Sequence, residues 1–284
     1  IIENNIFSHN SNGNDNAYSV FISYGGGAVI RNNKAFNSEY WGGTPNSKGI
    51  TLMCMDPNDP SMIEGNEIYD IIGQGIATKS GVSNIIVRRN YVHNVGSGIE
   101  PPGPRCHWTK PDCQKGDSEY YPGGGWQIYE NTLVNNTNAI SIKGSSEAGD
   151  ASHNNKIYNN VFYKNTTSAI DLVYAPKGTV IANNIFLENA RGVYLDNGGS
   201  GISRIILDFL PNFNSDYNLF FNNTADYFLR KDWTGPSDSG TGFSLDQIKN
   251  TYSRELNSLS SDPLFVEKTS IDFNLQRASP ANNA

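Results

Sequence analysis

The chain has 284 residues, with 28 acidic against 21 basic side chains for a formal net charge of −7. An acidic balance argues against a nucleic-acid binder, which would carry a basic footprint, but it leaves room for an anionic substrate held in a local basic groove. No apolar run approaches the roughly 20 residues that span a bilayer.

In chain order, an asparagine pair or its one-residue remnant returns eight times in the same apolar setting: IIENNIF (1–7), VIRNNKAF (29–36), MIEGNEIY (62–69), IIVRRNYVH (85–93), QIYENTLV (127–134), KIYNNVFY (156–163), VIANNIFL (180–187) and FNSDYNLFF (213–221). The anchors are Asn5, Asn33, Asn66, Asn90, Asn131, Asn160, Asn184 and Asn218, at intervals of 24 to 41 residues. One structural unit is therefore repeated with insertions. It builds an elongated body whose units contact mainly their neighbours, which overrides the one- or two-domain prior for this length. The first residue is not Met and falls inside a repeat. We expect a processed or partial chain lacking N-terminal coils and a cap.

A second apolar piece follows each anchor: SVFIS (19–23), GITLM (49–53), GIATK (75–79), GIEPP (98–102), AISIK (139–143), AIDLV (169–173) and GVYLD (192–196). Both kinds are short, β-branched and alternating, which predicts strands. Two or three strands per turn of about 24 residues, without hairpin signals, predict an all-β fold: a single-stranded right-handed parallel β-helix of about eight coils, with equivalent positions stacked about 4.8 Å apart. The asparagines are read as structural. Asn tolerates turn backbone angles and carries both a donor and an acceptor, so stacked copies form an amide ladder. The coils are expected over 1–230. Residues 231–284 form a C-terminal irregular and short-helix segment with a closing strand packed on the last coil. There, SLDQIKNTYS carries Ser244 as N-cap and Gln247 at the capping-box position.

Cys106 and Cys113 flank six residues, which reads either as a small disulfide loop or as two thiols. Cys54 ends a strand and is expected to be buried. The sequons at Asn135, Asn165 and Asn222 are expected by chance in so Asn-rich a chain.

These repeats resemble the pectate-lyase-like superfamily of β-helical carbohydrate-active proteins, and the segment DPLFVEKTSIDFNLQRASPANNA (262–284) is similar to its closing run. The resemblance implies that substrate lies on the sheet made by the second strand set. The long insertions at 54–61, 101–125 and 144–153 follow those strands, and long loops on a rigid scaffold are where function concentrates. Alternation sends Ile76, Ile99, Ile140, Ile142, Ile170, Leu172, Val193 and Leu195 inward. It sends Thr51, Ala77, Glu100, Ser141, Asp171 and Tyr194 outward in one row, and Ser23, Met53, Lys79, Pro102, Lys143, Val173 and Asp196 in a second. Any one charge in these rows could be a solvated face. The cluster is read as a site, with Lys143, Trp108, Tyr121, Tyr194 and Asp196 touching substrate. Tyr120 and Trp126 add aromatic surface for stacking on sugars.

Two chemistries fit. The run TKSGVSNIIVRRNYVHNVGSGIEPPG (78–103) resembles the alginate-lyase and chondroitinase-B family. Lys79 and Ser80 match its base position, Asn84 and Asn90 its asparagines, and Gly96 and Ser97 its Gly-Ser. Its Arg-His-Gly has no counterpart, since Pro101, Pro102 and Gly103 stand there, and Arg105 and His107 are the nearest substitutes. The resemblance implies β-elimination on a uronate polymer of the alginate or pectin class, with Lys79 taking the proton and Arg105 or His107 neutralising the carboxylate. Lys79 would need a pKa below its ordinary ~10.4. Asp56, Asp59 and Glu100 are a candidate Ca²⁺ site. The second chemistry is inverting hydrolysis by Glu100 and Asp171, two coils apart in one row. A third reading is a non-catalytic carbohydrate-binding β-helix. Each implies a secreted, extracellular or periplasmic monomer with a polysaccharide partner, and neither nucleic acid nor membrane.

Overall fold

The computed structural model describes residues 1–8, 11–12, 17–40, 47–79, 82–101, 105–106, 120–121, 123–143, 153–173, 177–196, 213–230, 240–268 and 273–282. The described chain is nearly all β, and it returns eight times to the same order of three strands. The first strand of each unit joins one parallel sheet: Ile2–Glu3, Val29–Arg31, Met62–Glu64, Ile86–Arg88, Gln127–Tyr129, Lys156–Tyr158, Thr179–Ala182 and Phe213–Asp216. The second and third strands form two parallel runs of a larger sheet. The middle run contains Ile6–Ser8, Lys34–Phe36, Thr132–Val134, Val161–Tyr163, Ile185–Leu187 and Leu219–Phe221. The third run, called the wall below, contains Tyr18–Gly25, Lys48–Met55, Asn138–Lys143, Ser168–Val173, Arg191–Asp196 and Ala225–Arg230. Glu67–Lys79 and Tyr91–Glu100 pass unbroken from the middle run into the wall. Among the described residues no helix is long and apolar enough to cross a membrane.

Parallel pairing joins each strand to its equivalent in the next unit, so side chains of one register stack. Ile50, Ile76, Ile99, Ile140, Ile170 and Val193 form one inward file, each at most 1% exposed. Phe162, Phe186 and Phe220 form another, with ring centroids 5.0 and 4.6 Å apart. Burying one such side chain is worth about 1.5–3 kcal/mol. Cys54 is buried, as its place at a strand end suggests.

The turn explains the asparagine pair. The residue before each anchor is left-handed: Asn4 (φ 59°), Asn32 (54°), Gly65 (63°), Arg89 (56°), Glu130 (54°), Asn159 (55°), Asn183 (55°) and Tyr217 (58°). Asn and Gly tolerate that backbone at the lowest cost. The anchor itself enters a ladder. Asn131, for example, donates from Nδ2 to the Val87 carbonyl at 2.9 Å, the Tyr129 carbonyl at 3.0 Å and Asn160 Oδ1 at 3.0 Å. Its backbone N–H also donates to Asn160 Oδ1. Hence the first Asn of a pair is replaceable and the second is not.

A second ladder runs through Asn136, Asn165, Asn189 and Asn223 at the turn between the middle run and the wall. It too follows left-handed residues, namely Asn135, Lys164, Glu188 and Asn222. The sequon asparagine Asn165 is thereby fully buried, its amide donating to Asn189 Oδ1 and the Leu133 carbonyl. Asn135 and Asn222 are exposed.

The C-terminal segment closes the last unit. Gly240–Phe243 pairs antiparallel with Ala225–Arg230, and Leu259–Ser260 adds to Leu219–Phe221, covering edges that would otherwise invite pairing. The helix Leu245–Tyr252 has the expected capping box of Ser244 and Gln247. Ser244→Ala should cost about 1 kcal/mol in urea unfolding; no change would mean that the helix contributes nothing to the cap. The tail then packs Phe265, Phe273 and Leu275 against Val134, Tyr163, Leu187 and Leu219 on the outer face of the middle run.

Glu255 terminates the first ladder. It is 1% exposed and accepts hydrogen bonds from Ser215, Tyr227, Ser258 and the Asn218 amide. Burial raises its carboxyl pKa, while these donors pull the other way. A carboxyl raised in the folded state contributes stability that is fully present below the unfolded value near 4.3 and is lost as pH rises through the folded value. Wild type should therefore lose stability relative to Glu255→Gln as pH climbs from about 4, measured by urea titration at stepped pH. A pH-independent gap would show that the carboxyl is not shifted.

Candidate functional site

The wall's outward rows follow from register. Phe21, Thr51, Ala77 and Glu100 align across successive strands. So do Ser141, Asp171, Tyr194 and Phe228. The Ile99–Ile140 pair joins the two sets. In the second row, Ser23, Met53 and Lys79 align, as do Lys143, Val173 and Asp196. Lys79, Glu100 and Asp171 thus belong to one wall.

This wall is not a solvent-washed face. Thr51 and Ser141 are fully buried, and Asp171 and Asp196 are 8% and 3% exposed. Its polar groups are tied together. The Gln74 amide donates to Glu100 Oε2 at 2.7 Å, and the Ser141 hydroxyl to Asp171 Oδ2 at 3.2 Å. Arg230 Nη1 donates to Asp196 Oδ2 at 2.8 Å, and the Tyr194 hydroxyl lies 3.4 Å from the same oxygen. The Arg191 guanidinium sits 4.1 Å from the Phe228 ring centre and 5.2 Å from that of Tyr194. Burial, with Asp196 adding its negative charge, pushes the Tyr194 phenol up to about 12. Tyr194 is therefore a neutral donor near pH 7. Asp196 in turn raises the Arg230 guanidinium through their hydrogen bond. Carboxylates, guanidinium groups and a phenol thus form one internally paired polar network along the wall.

Several expected site residues are placed elsewhere or lie beyond description. Trp126 is not a sugar platform: it is fully buried, and its indole N–H donates to the Val82 carbonyl at 2.9 Å. The calcium trio is not assembled. Asp56 Oδ1 accepts from the Asn58 N–H within a local turn. Asp59 packs against the first unit's turn, where a Cβ on Gly26 would come 2.5 Å from its own. Glu100 instead faces Gln74. Among the described residues, no three His, Cys, Asp or Glu side chains are grouped to hold a metal ion. Arg105 and Tyr121 pair in a short antiparallel ribbon. His107, Trp108, Ser80 and Cys113, and with it the Cys106–Cys113 pair, lie outside the described residues.

Three wall residues escaped the sequence reading: Gln74, Arg191 and Arg230. The signal was present for two of them. ADYFLR (225–230) continues the alternation by one more unit and ends on Arg230, and Arg191 directly precedes the GVYLD strand. His93 is stacked on Tyr69 at 4.9 Å and on Tyr91 at 4.2 Å, in line with a structural role. Burial lowers its imidazole pKa. No family model, no curated protein and no solved structure matches this chain.

Proposed function

We propose that the chain is a right-handed parallel β-helix that cleaves a uronate-containing polysaccharide, of the alginate or pectin class, by β-elimination along the wall. Parallel pairing between equivalent strands of eight units, with asparagine ladders at the turns, supports the helix. The activity reading is supported by one observation: the register aligns the Lys79 backbone with Met53, in a strand that lies next to the one ending on Glu100, in the wall that also carries Asp171. In this reading the Lys79 amine takes the proton alpha to the uronate carboxylate. The bond to the glycosidic oxygen then breaks, that oxygen takes a proton from water as it leaves, and a carbon–carbon double bond remains. Arg105 or His107 neutralises the carboxylate as negative charge builds. Arg191, Tyr194 and Arg230 hold sugars further along the wall. A polymer substrate of this kind is met outside the cell, and the protein belongs there in this reading.

A second reading, inverting hydrolysis, is favoured by the positions of Glu100 and Asp171. One strand separates them, so their backbones stand roughly 10 Å apart. An inverting pair works at about 6.5–9.5 Å between carboxyls. Against it, Asp171 is buried and already accepts from Ser141, a poor setting for a water-activating base.

The test is a panel of polysaccharides read both for reducing ends and for the ultraviolet absorbance of an unsaturated uronate. Elimination raises both signals on a uronate polymer. Reducing ends without absorbance would establish the hydrolase instead. Binding without product would leave a carbohydrate-binding protein, and no interaction with any polymer would end the proposal.

A further inference from the structure

A second groove lies away from the wall, between the turn that carries the first ladder and the C-terminal tail. Two adjoining cavities, of about 290 and 450 Å³, share Asn159, Val161 and Phe273 among their lining. The floor is apolar, from Val161, Ile185 and Leu219, and Phe273 of the tail forms one side. The rim is the left-handed turn position of three successive units: Asn159, Asn183 and Tyr217.

Those three side chains recur at one strand spacing, about 4.8 Å, so they present two amides and a ring in a straight file. The amides of Asn159 and Asn183 are exposed and make no hydrogen bond to any described residue. Each offers a donor and an acceptor, which matches the paired hydroxyls of a sugar. Tyr217 is 49% exposed, an amphipathic ring of the kind that packs on a pyranose face. Its backbone adds a second argument. Other units fill this left-handed position with Asn, Gly, Arg or Glu, and Tyr217 alone places a ring there, at φ 58°; a bulky residue in that backbone is strained, and strain is retained where it serves a site.

Charge selects the ligand class. Among the described residues lining the two cavities, Glu130 is the one charged side chain, and it is already paired with Arg89 at 2.7 Å. A uronate would meet a carboxylate there, and the neighbouring Arg89 is already engaged by Glu130 and Glu64. We propose that this groove binds a neutral oligosaccharide, independently of whatever chemistry the wall performs. It would hold an uncharged stretch of glycan on the opposite side of the second turn from the wall.

The experiment is calorimetric titration with soluble gluco-, manno- and xylo-oligosaccharides, with an oligouronate for comparison. A neutral oligomer should bind wild type and the Lys79→Ala variant alike. Tyr217→Asn should weaken it about tenfold, the upper end of what one stacked ring contributes, without lowering Tm, because Asn already fills this turn position at Asn4, Asn32, Asn159 and Asn183. Asn159→Gly with Asn183→Gly should weaken it further; Gly65 shows that the position accepts glycine. The proposal is overturned if no neutral oligomer binds, if Tyr217→Asn binds like wild type, or if binding is lost in Lys79→Ala and retained in Tyr217→Asn. The last result would put the sugar on the wall.

Discussion

Asn160→Ala should lower the unfolding free energy by about 3–5 kcal/mol, among the largest effects of any single change outside the apolar core. Asn160 is 1% exposed and its side chain makes five hydrogen bonds. Its amide donates to the Ile128 carbonyl at 2.9 Å, the Tyr158 carbonyl at 3.0 Å and Asn184 Oδ1 at 3.0 Å. Its Oδ1 accepts from both the backbone N–H and the Nδ2 of Asn131. Alanine leaves the Asn131 N–H and these acceptors in a site closed to water, at about 1–3 kcal/mol per orphaned group. It does so on both neighbouring units, so the loss is shared by two interfaces of a stacked array. Asn5 is the control. It donates to Asn33 Oδ1 in the same way, but it is exposed. Asn5→Ala should cost no more than about 1 kcal/mol, since water replaces what is lost. The two variants are compared by urea unfolding. Equal costs would mean that the ladder is decoration and that the apolar files alone hold the turns.

The same physics decides what could be read from the sequence. Asn5 through Asn218 were legible because each turn needs a left-handed residue followed by a buried amide, and few side chains satisfy both. The inward file from Ile76 to Val193 was legible because strand period leaves no choice of face. The second ladder was not. Asn136, Asn165 and Asn189 have the same environment as the first set, yet Lys164 and Glu188 fill two of the preceding left-handed positions, so the pair motif survives only at Asn135–Asn136 and Asn222–Asn223 and shows no period. The sequon at Asn165 is a chance match, as expected of so Asn-rich a chain, on a residue in the core. Trp126 failed as a sugar platform: composition places an aromatic near a loop, while only packing shows its N–H on the Val82 carbonyl. Asp56 and Asp59 were grouped with Glu100 by charge, but their backbone follows the turn toward Gly25–Gly27 of the first unit. Glu255 lies beyond the repeats, where no period predicts which side chain caps the ladder. The burial of Asp171 and Asp196 had no one-dimensional signal at all, because alternation separates two faces without saying which face is open.

Lys79→Ala should reduce turnover of a uronate polymer about a thousandfold, within the range general-base removal produces, while leaving Tm unchanged. Lys79 ends its strand in register with Met53, so shortening it disturbs no inward file. Its amine must be neutral to accept a proton. Turnover by wild type should therefore rise with pH through the pKa of that amine, ordinarily ~10.4 and lower beside other cations. Glu100→Gln separates the mechanisms. In elimination the carboxylate touches neither the proton nor the leaving bond, and the Gln74 contact at 2.7 Å shows it already held by an amide donor; turnover should change less than tenfold, with the loss mainly in KM. In hydrolysis the order reverses. Glu100→Gln removes an acid or base and turnover collapses, whereas Lys79→Ala affects sugar binding alone. A profile in which Lys79→Ala keeps wild-type turnover and Glu100→Gln loses it would transfer the chemistry to the carboxylate pair. One in which both retain full turnover would remove the chemistry from Lys79 and Glu100.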